Sequence, residues 1–280
     1  MHSIRKAAER LAQEAADAAH IAALGIVVAA GGVGAAAAQK AEGDTQKKDR
    51  AMSQPTSDMD AATGPLAAEL EARKREFAEQ ADAQTVALFE QGVIDVAELG
   101  LTDSALNTGD PAPRFELPDA AGGTTTLETM LADGPVVVTF YRGGWCPYCN
   151  IQLRAYQERL DEIASHGASL VAISPEQPDA SLSTREKNDL KFHVLSDAGN
   201  QVADAFGLRY RLPSDIIDAF RGRFDLEQTN GDDSWTLPLG ATYVIDQDGT
   251  IAWAYLSADY RERAETQDVI DALAALKTGG

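Results

Sequence analysis

Cys146 and Cys149 are the only two thiols in a chain of 280 residues, and they stand three positions apart in the stretch FYRGGWCPYC, residues 140–149. A thiol reacts as its thiolate, so a pair at this spacing can reduce an oxidant, close a disulfide, or exchange one with another thiol. Zinc would need two further ligands at a paired spacing. The chain offers only His2, His20, His166 and His193, and no two of them stand three to five residues apart. A redox dithiol is therefore expected, with no metal and no organic cofactor. Inert buried cysteines fit poorly beside Arg142 and Arg154. The residues themselves leave open which thiol attacks.

The elements around the pair say how it is presented. VVVTFY, residues 136–141, reads as a buried strand after the turn signal ADGP. Beyond the motif, Cys149, Leu153, Tyr156, Leu160 and Ile163 recur at helical intervals as far as Gly167. The thiols therefore lie at a helix start, where free N–H groups and the macrodipole favour an anion. Pro147 suits the first helical turn, which places Cys146 at the mouth and Cys149 inside it, and predicts Cys146 as the more exposed. Strands follow at 168–174 and 192–197, with helices at 181–190, where Ser183 and Glu186 suggest a capping box, and at 200–206. An Asp-Gly turn within ATYVIDQDGTIAWAY, residues 241–255, predicts an antiparallel hairpin, and a last helix spans about 265–277. The alternation predicts an α/β fold, a central mixed sheet flanked by helices.

Upstream, Leu66, Leu70, Phe77, Val86, Phe89, Val93, Val96 and Leu99 recur at threes and fours or close multiples, which predicts two amphipathic helices between Pro65 and Gly100. Their expected role is packing on the main domain or homodimer contacts, without chemistry. The chain divides into an Ala/Gly-rich tail (1–51), a helical extension (52–106) and the thiol domain (107–277). Residues 21–38 are apolar but mostly Ala and Gly, and charges of both signs precede them, so they make a poor membrane span. An exported or tethered form through that run is the alternative to a cytoplasmic location. GGVGAAA within it satisfies a dinucleotide-binding spacing, but the polar tract that follows supplies no second strand. Met52 is a candidate alternative start. Against 24 Lys and Arg stand 44 Asp and Glu, and the resulting charge of −20 repels phosphate backbones and anionic membranes.

Four segments in order, GDPAPRFELPDAAG (109–122), FYRGGWCPYC, LSDAGNQVADAFGL (195–208) and ATYVIDQDG (241–249), resemble the peroxiredoxins of the alkyl hydroperoxide reductase and thiol-specific antioxidant family. The form RGGWCPYC is similar to a peroxiredoxin-like branch with a CxxC site and an N-terminal helical extension. The resemblance implies a thioredoxin-like fold over 107–277 and a peroxidase that reduces hydrogen peroxide or organic hydroperoxides, recycled by thioredoxin or a similar thiol. On the family pattern Phe-Tyr-Pro-x3-Thr-x2-Cys, Arg142 stands at the proline, Cys146 at the threonine and Cys149 at the peroxidatic cysteine. The family's peroxide-binding arginine falls at Gly240, where thioredoxins would carry their cis-proline. The resemblance thus implies Cys149 as attacking thiol and Cys146 as resolver, with Arg142 as candidate replacement cation and Trp145 and Pro147 as supporting residues. A thioredoxin-like protein disulfide oxidoreductase with Cys146 as nucleophile is the alternative, and a redox sensor without turnover a third reading. Trp235, Trp253 and His193 are read as packing residues.

Overall fold

The computed structural model describes residues 64–278. Three helices come first, α1 (Pro65–Gln80), α2 (Ala83–Ala97) and the single turn α3 (Leu101–Ser104). A small hairpin of β1 (Glu116–Pro118) and β2 (Thr124–Thr126), then α4 (Leu127–Asp133), lead into β3 (Val136–Phe140). Two crossovers follow: α5 (Pro147–Glu158) and α6 (Leu160–Ser165) join β3 to β4 (Ser169–Ser174), and α7 (Pro178–Lys187) joins β4 to β5 (His193–Ser196). Short pieces come next, α8 (Gln201–Ala205), β6 (Arg209–Arg211), α9 (Ser214–Phe220), α10 (Leu226–Asn230) and β7 (Thr236–Pro238). The chain closes with β8 (Gly240–Ile245), β9 (Ile251–Ser257) and α11 (Thr266–Thr278).

The central sheet has the order β5-β4-β3-β8-β9. β3, β4 and β5 run parallel, and β8 and β9 add the antiparallel pair that the Asp-Gly turn predicts. Every residue of β3 is buried because successive side chains feed opposite faces of a sheet covered on both sides. Val136, Val138 and Phe140 pack with Phe206, Phe220 and Tyr243 on one face. Val137 and Tyr141 pack with Leu153, Tyr156 and Val269 on the other. The two extension helices divide between these layers: Leu66 and Leu70 of α1 join the layer of the thiol helix, and Val96 of α2 joins the opposite one.

Several expectations change in detail. The helix after the motif does not run unbroken to Gly167, since Arg159, at φ −110° and ψ 17°, interrupts it between α5 and α6. Helix α7 spans Pro178–Lys187 instead of 181–190, because a proline fits the first turn without losing a hydrogen bond; Ser183 Oγ then bonds back to the Asp179 carbonyl (3.0 Å), and no capping box forms. His193 does not pack inward: its side chain is 47% exposed on the edge strand β5, paired with the buried Asp119. Trp235 is buried, its indole N–H bonded to Glu227 (3.0 Å), and Trp253 is half-buried on β9. Residues 209–238 break into pieces too short to show a period, so the sequence offered no elements there. The apolar run 21–38, GGVGAAA and Met52 lie outside the described residues. No helix among the described residues is long and apolar enough to cross a membrane.

Candidate active site

After β3, residues 141–146 turn the chain out of the sheet and into α5. Two glycines let this turn lie close to its neighbours. A Cβ on Gly144 would stand 2.0 Å from Thr184 Oγ1, and one on Gly143, whose φ is 147°, would stand 2.3 Å from Trp145 Nε1. The bare backbone settles on Glu176, whose buried carboxylate accepts from the Gly144 N–H (2.9 Å), Thr184 Oγ1 (3.2 Å) and the Tyr141 hydroxyl (3.4 Å). Burial pushes the Glu176 carboxyl up despite those donors. From the helix side, Asn150 Nδ2 donates to the carbonyls of Gly144 (2.8 Å) and Cys146 (3.1 Å), and Asn188 donates to the Asn150 oxygen (2.8 Å). The loop and the first turn of α5 are thereby tied into one unit.

Cys146 is the N-cap of α5, Pro147 opens its first turn, and Cys149 lies inside that turn. Contrary to the expectation of an exposed Cys146, both thiols are buried, at 1% and 0% exposure. Both belong to an apolar cluster that Leu66 and Leu70 of the extension and Tyr148 join, with Trp145 and Tyr260 packed against it. Cys149 Sγ accepts from the Arg142 backbone N–H (3.4 Å) and from Arg263 Nη2 (3.3 Å). Burial alone would raise the Cys149 thiol, but its hydrogen bond from Cys146, the Arg263 guanidinium and the Arg142 N–H outweigh burial and hold it well below the usual thiol range. Cys146 goes the other way: burial, its bond to Cys149 and the Cys149 charge push it up.

Arg263 supplies the cation that the motif lacks. It is 2% exposed, no carboxylate among the described residues pairs with it, and its Nη1 donates to the Glu262 carbonyl (2.6 Å). A buried guanidinium needs a partner that accepts its hydrogen bonds or balances its charge, and the Cys149 sulfur lies in place to do so. Its position explains Gly240. A Cβ there would stand 2.9 Å from Arg263 Nη1, so the bare backbone of β8 leaves room for an arginine arriving from the segment before α11. Arg142, the expected replacement, adds its charge in favour of the thiolate but makes its hydrogen bond to Cys149 through the backbone alone. Its guanidinium lies over the rings of Tyr260 (4.4 Å), Trp145 (5.0 Å) and Phe220 (6.0 Å), and only its backbone N–H reaches the thiol. The same guanidinium lines a cavity of about 20 Å³ together with Phe89, Val93, Tyr210, Ile216 and Tyr260. That is room for about one water-sized molecule. Among the described residues no group of three or more His, Cys, Asp or Glu is placed to hold a metal.

The motif reading finds Cys146, Cys149, Arg142, Trp145 and Pro147 together at one helix start. It misses Arg263, Glu176 and Tyr156. The vacancy at Gly240 was the available signal for Arg263, since a missing cation invites a search of later loops. Tyr156 counted only as an apolar position, yet its hydroxyl donates to the Ala264 carbonyl (3.2 Å), beside Arg263.

The chain is similar in sequence to known proteins. The chain is 28% identical over 174 residues to a putative peroxiredoxin of Mycobacterium tuberculosis (strain CDC 1551 / Oshkosh), an overlap of 62% of this chain and 100% of that one. It is 35% identical over 103 residues to peroxiredoxin Bcp of Escherichia coli (strain K12), covering 37% of this chain and 65% of that one. A crystal structure of peroxidoxin BcpB from Mycobacterium tuberculosis aligns with a TM-score of 0.49 at 27% identity, over 61% of this chain and 98% of that one. The model of the AhpC/TSA family matches residues 108–254, just over half of the chain. The chain therefore belongs to the AhpC/TSA family: it is a peroxiredoxin-type enzyme of thioredoxin-like fold, and its activity is thiol-dependent reduction of peroxides.

Proposed function

We propose that Cys149 is the peroxidatic thiolate and Cys146 the resolving thiol. The observation that carries this reading is the convergence of Arg263 Nη2 and the Arg142 N–H on Cys149 Sγ, while burial pushes the Cys146 thiol up. The thiolate attacks the terminal oxygen of R–O–O–H; an S–O bond forms, the O–O bond breaks, and the departing R–O⁻ takes a proton to become ROH. Arg263 and the Arg142 N–H, already placed for negative charge, also suit the charge spreading over the peroxide oxygens. Cys146 then attacks the sulfenic sulfur, water leaves, and a Cys146–Cys149 disulfide remains for an external dithiol such as thioredoxin to reduce. A cytoplasmic setting, where such reductants are maintained, suits a chain with a single cysteine pair.

Stopped-flow oxidation of the reduced protein by hydrogen peroxide, followed by Trp145 fluorescence, tests the assignment. Fast oxidation is expected in wild type and in Cys146→Ser, which should accumulate the sulfenic acid, and none above the free-thiol rate in Cys149→Ser. A wild type that reacts no faster than a free thiol, or a Cys149→Ser variant that still reacts fast, would overturn it.

A further inference from the structure

The segment that delivers Arg263 has little structure of its own. Between the end of β9 at Ser257 and the start of α11 at Thr266, residues 258–265 form only bends, turns and irregular backbone. Irregular backbone holds a functional side chain in place only when other elements fix it. Four anchors do so. Ser257 Oγ donates to Glu262 (2.8 Å) and the Tyr156 hydroxyl of α5 to the Ala264 carbonyl (3.2 Å), both from within the thiol domain.

The other two anchors come from the helical extension. Glu90 of α2 takes both Nη groups of Arg261, the Nη2 bond at 3.0 Å, and Arg261 is itself 7% exposed and paired with Asp259. At α1, Gly64 supplies no side-chain cap; instead Glu265 accepts from the free Ala67 N–H (2.6 Å) in the first turn. Arg261 and Glu265 flank Arg263 by two residues on either side. The extension therefore grips the arginine segment at both shoulders.

From this we infer that the extension is part of the catalytic apparatus: Glu90, with Arg261 and Glu265, are positioning residues that hold Arg263 against Cys149. Packing on the thiol domain is then the means, and placement of the guanidinium the consequence. The inference rests on the reading of Cys149 as the peroxidatic thiolate. The titratable groups that act on its sulfur include Cys146, Arg142, Arg263, Tyr141, Glu176 and Tyr210, whereas the bonds of Glu90 go to Arg261, so its route to the sulfur is through the arginine segment.

The test uses the full chain and the pH midpoint of Cys149 thiolate formation, read from alkylation rate by iodoacetamide in a Cys146→Ser background, beside the rate of peroxide oxidation. Glu90 is half exposed on a helix, so Glu90→Ala should fold as wild type. It should raise the midpoint by up to about one pH unit and slow oxidation at pH below the wild-type midpoint by about threefold to tenfold. In an Arg263→Met background the same substitution should change neither. A wild-type midpoint and rate in Glu90→Ala would overturn the inference, and so would an equal effect in both backgrounds. Failure of the peroxidatic reading looks different: wild type itself would show no depressed midpoint and no fast oxidation.

Discussion

The two halves of the thiolate's surroundings are built in different ways. The half from Tyr141 to Asn150 is local: one continuous stretch carries both sulfurs, the Gly-Gly turn, the backbone donor to Cys149 and the asparagine that locks the turn. The half from Asp259 to Glu265 lies more than a hundred residues later, and its one contribution, Arg263, is held by contacts borrowed from α1, α2 and α5. A local site is specified by its own sequence, whereas a borrowed one is specified by everything that touches it. Damage to the first half should remove the chemistry; damage to the second should leave the chemistry intact and slow.

The sharpest way to separate the halves is Arg263→Met, which keeps the bulk of the side chain and removes the charge. Loss of one preorganised donor costs about a hundredfold in rate, and oxidation of Cys149 should fall by about that much. The pH profile should move with it. In wild type the thiol titrates below the usual thiol range, so the rate is high at neutral pH and declines as pH falls through the Cys149 midpoint and the sulfur takes up its proton. Without the guanidinium the ionised form loses a stabilising partner, the midpoint rises, and the same decline begins at higher pH. Stopped-flow rates across a pH series check both; an unchanged midpoint would mean that the local half sustains the thiolate alone.

Gly240→Ala attacks the same half by geometry instead of charge. The new methyl would stand 2.9 Å from Arg263 Nη1 and 3.3 Å from its Cζ, too close for the guanidinium to stay. A displacement of about 1 Å at a reacting centre can cost up to a hundredfold, and a partial adjustment of a long side chain places the expected loss at about tenfold. With Arg263→Met already present, Gly240→Ala should add little. An equal loss in both backgrounds would locate its effect in the strand and not in the arginine.

The contrast also decides what could be read from the sequence. β3, β4, β8 and β9 and the thiol helix announce themselves through continuous apolar runs, a threes-and-fours repeat and an Asp-Gly turn, all of which are local signals. So does the pairing of Cys146 with Cys149. Arg263 does not, because RERAE reads as a charged loop until the fold lays it over Gly240. The burial of Cys146 was invisible for the same reason: a helix mouth is open in isolation and closed only by residues packed from elsewhere, and no spacing along α5 encodes its cover. Arg142 lies between the two cases: its charge favours the thiolate, as its nearness in sequence suggests, but three aromatic rings brought together by tertiary structure hold its guanidinium, and the hydrogen bond to the sulfur comes from its backbone.

The smallest expected effect tests the joint between the halves. Tyr156 lies on α5, seven residues beyond Cys149, and its hydroxyl reaches both Thr242 Oγ1 (3.2 Å) on β8 and the Ala264 carbonyl (3.2 Å). Tyr156→Phe keeps the ring in the core and removes one buried donor, leaving the Ala264 carbonyl without that partner. The stability cost should be about 1–2 kcal/mol, seen as a lower denaturant midpoint with an unchanged slope. Because Glu90, Glu265 and Glu262 still hold the arginine segment, the oxidation rate should fall no more than about threefold, a loss equivalent to less than 1 kcal/mol of barrier. A rate loss as large as that of Arg263→Met would show that the segment hangs from α5 alone, and the separation into a local half and a half gripped by the extension would have to be redrawn.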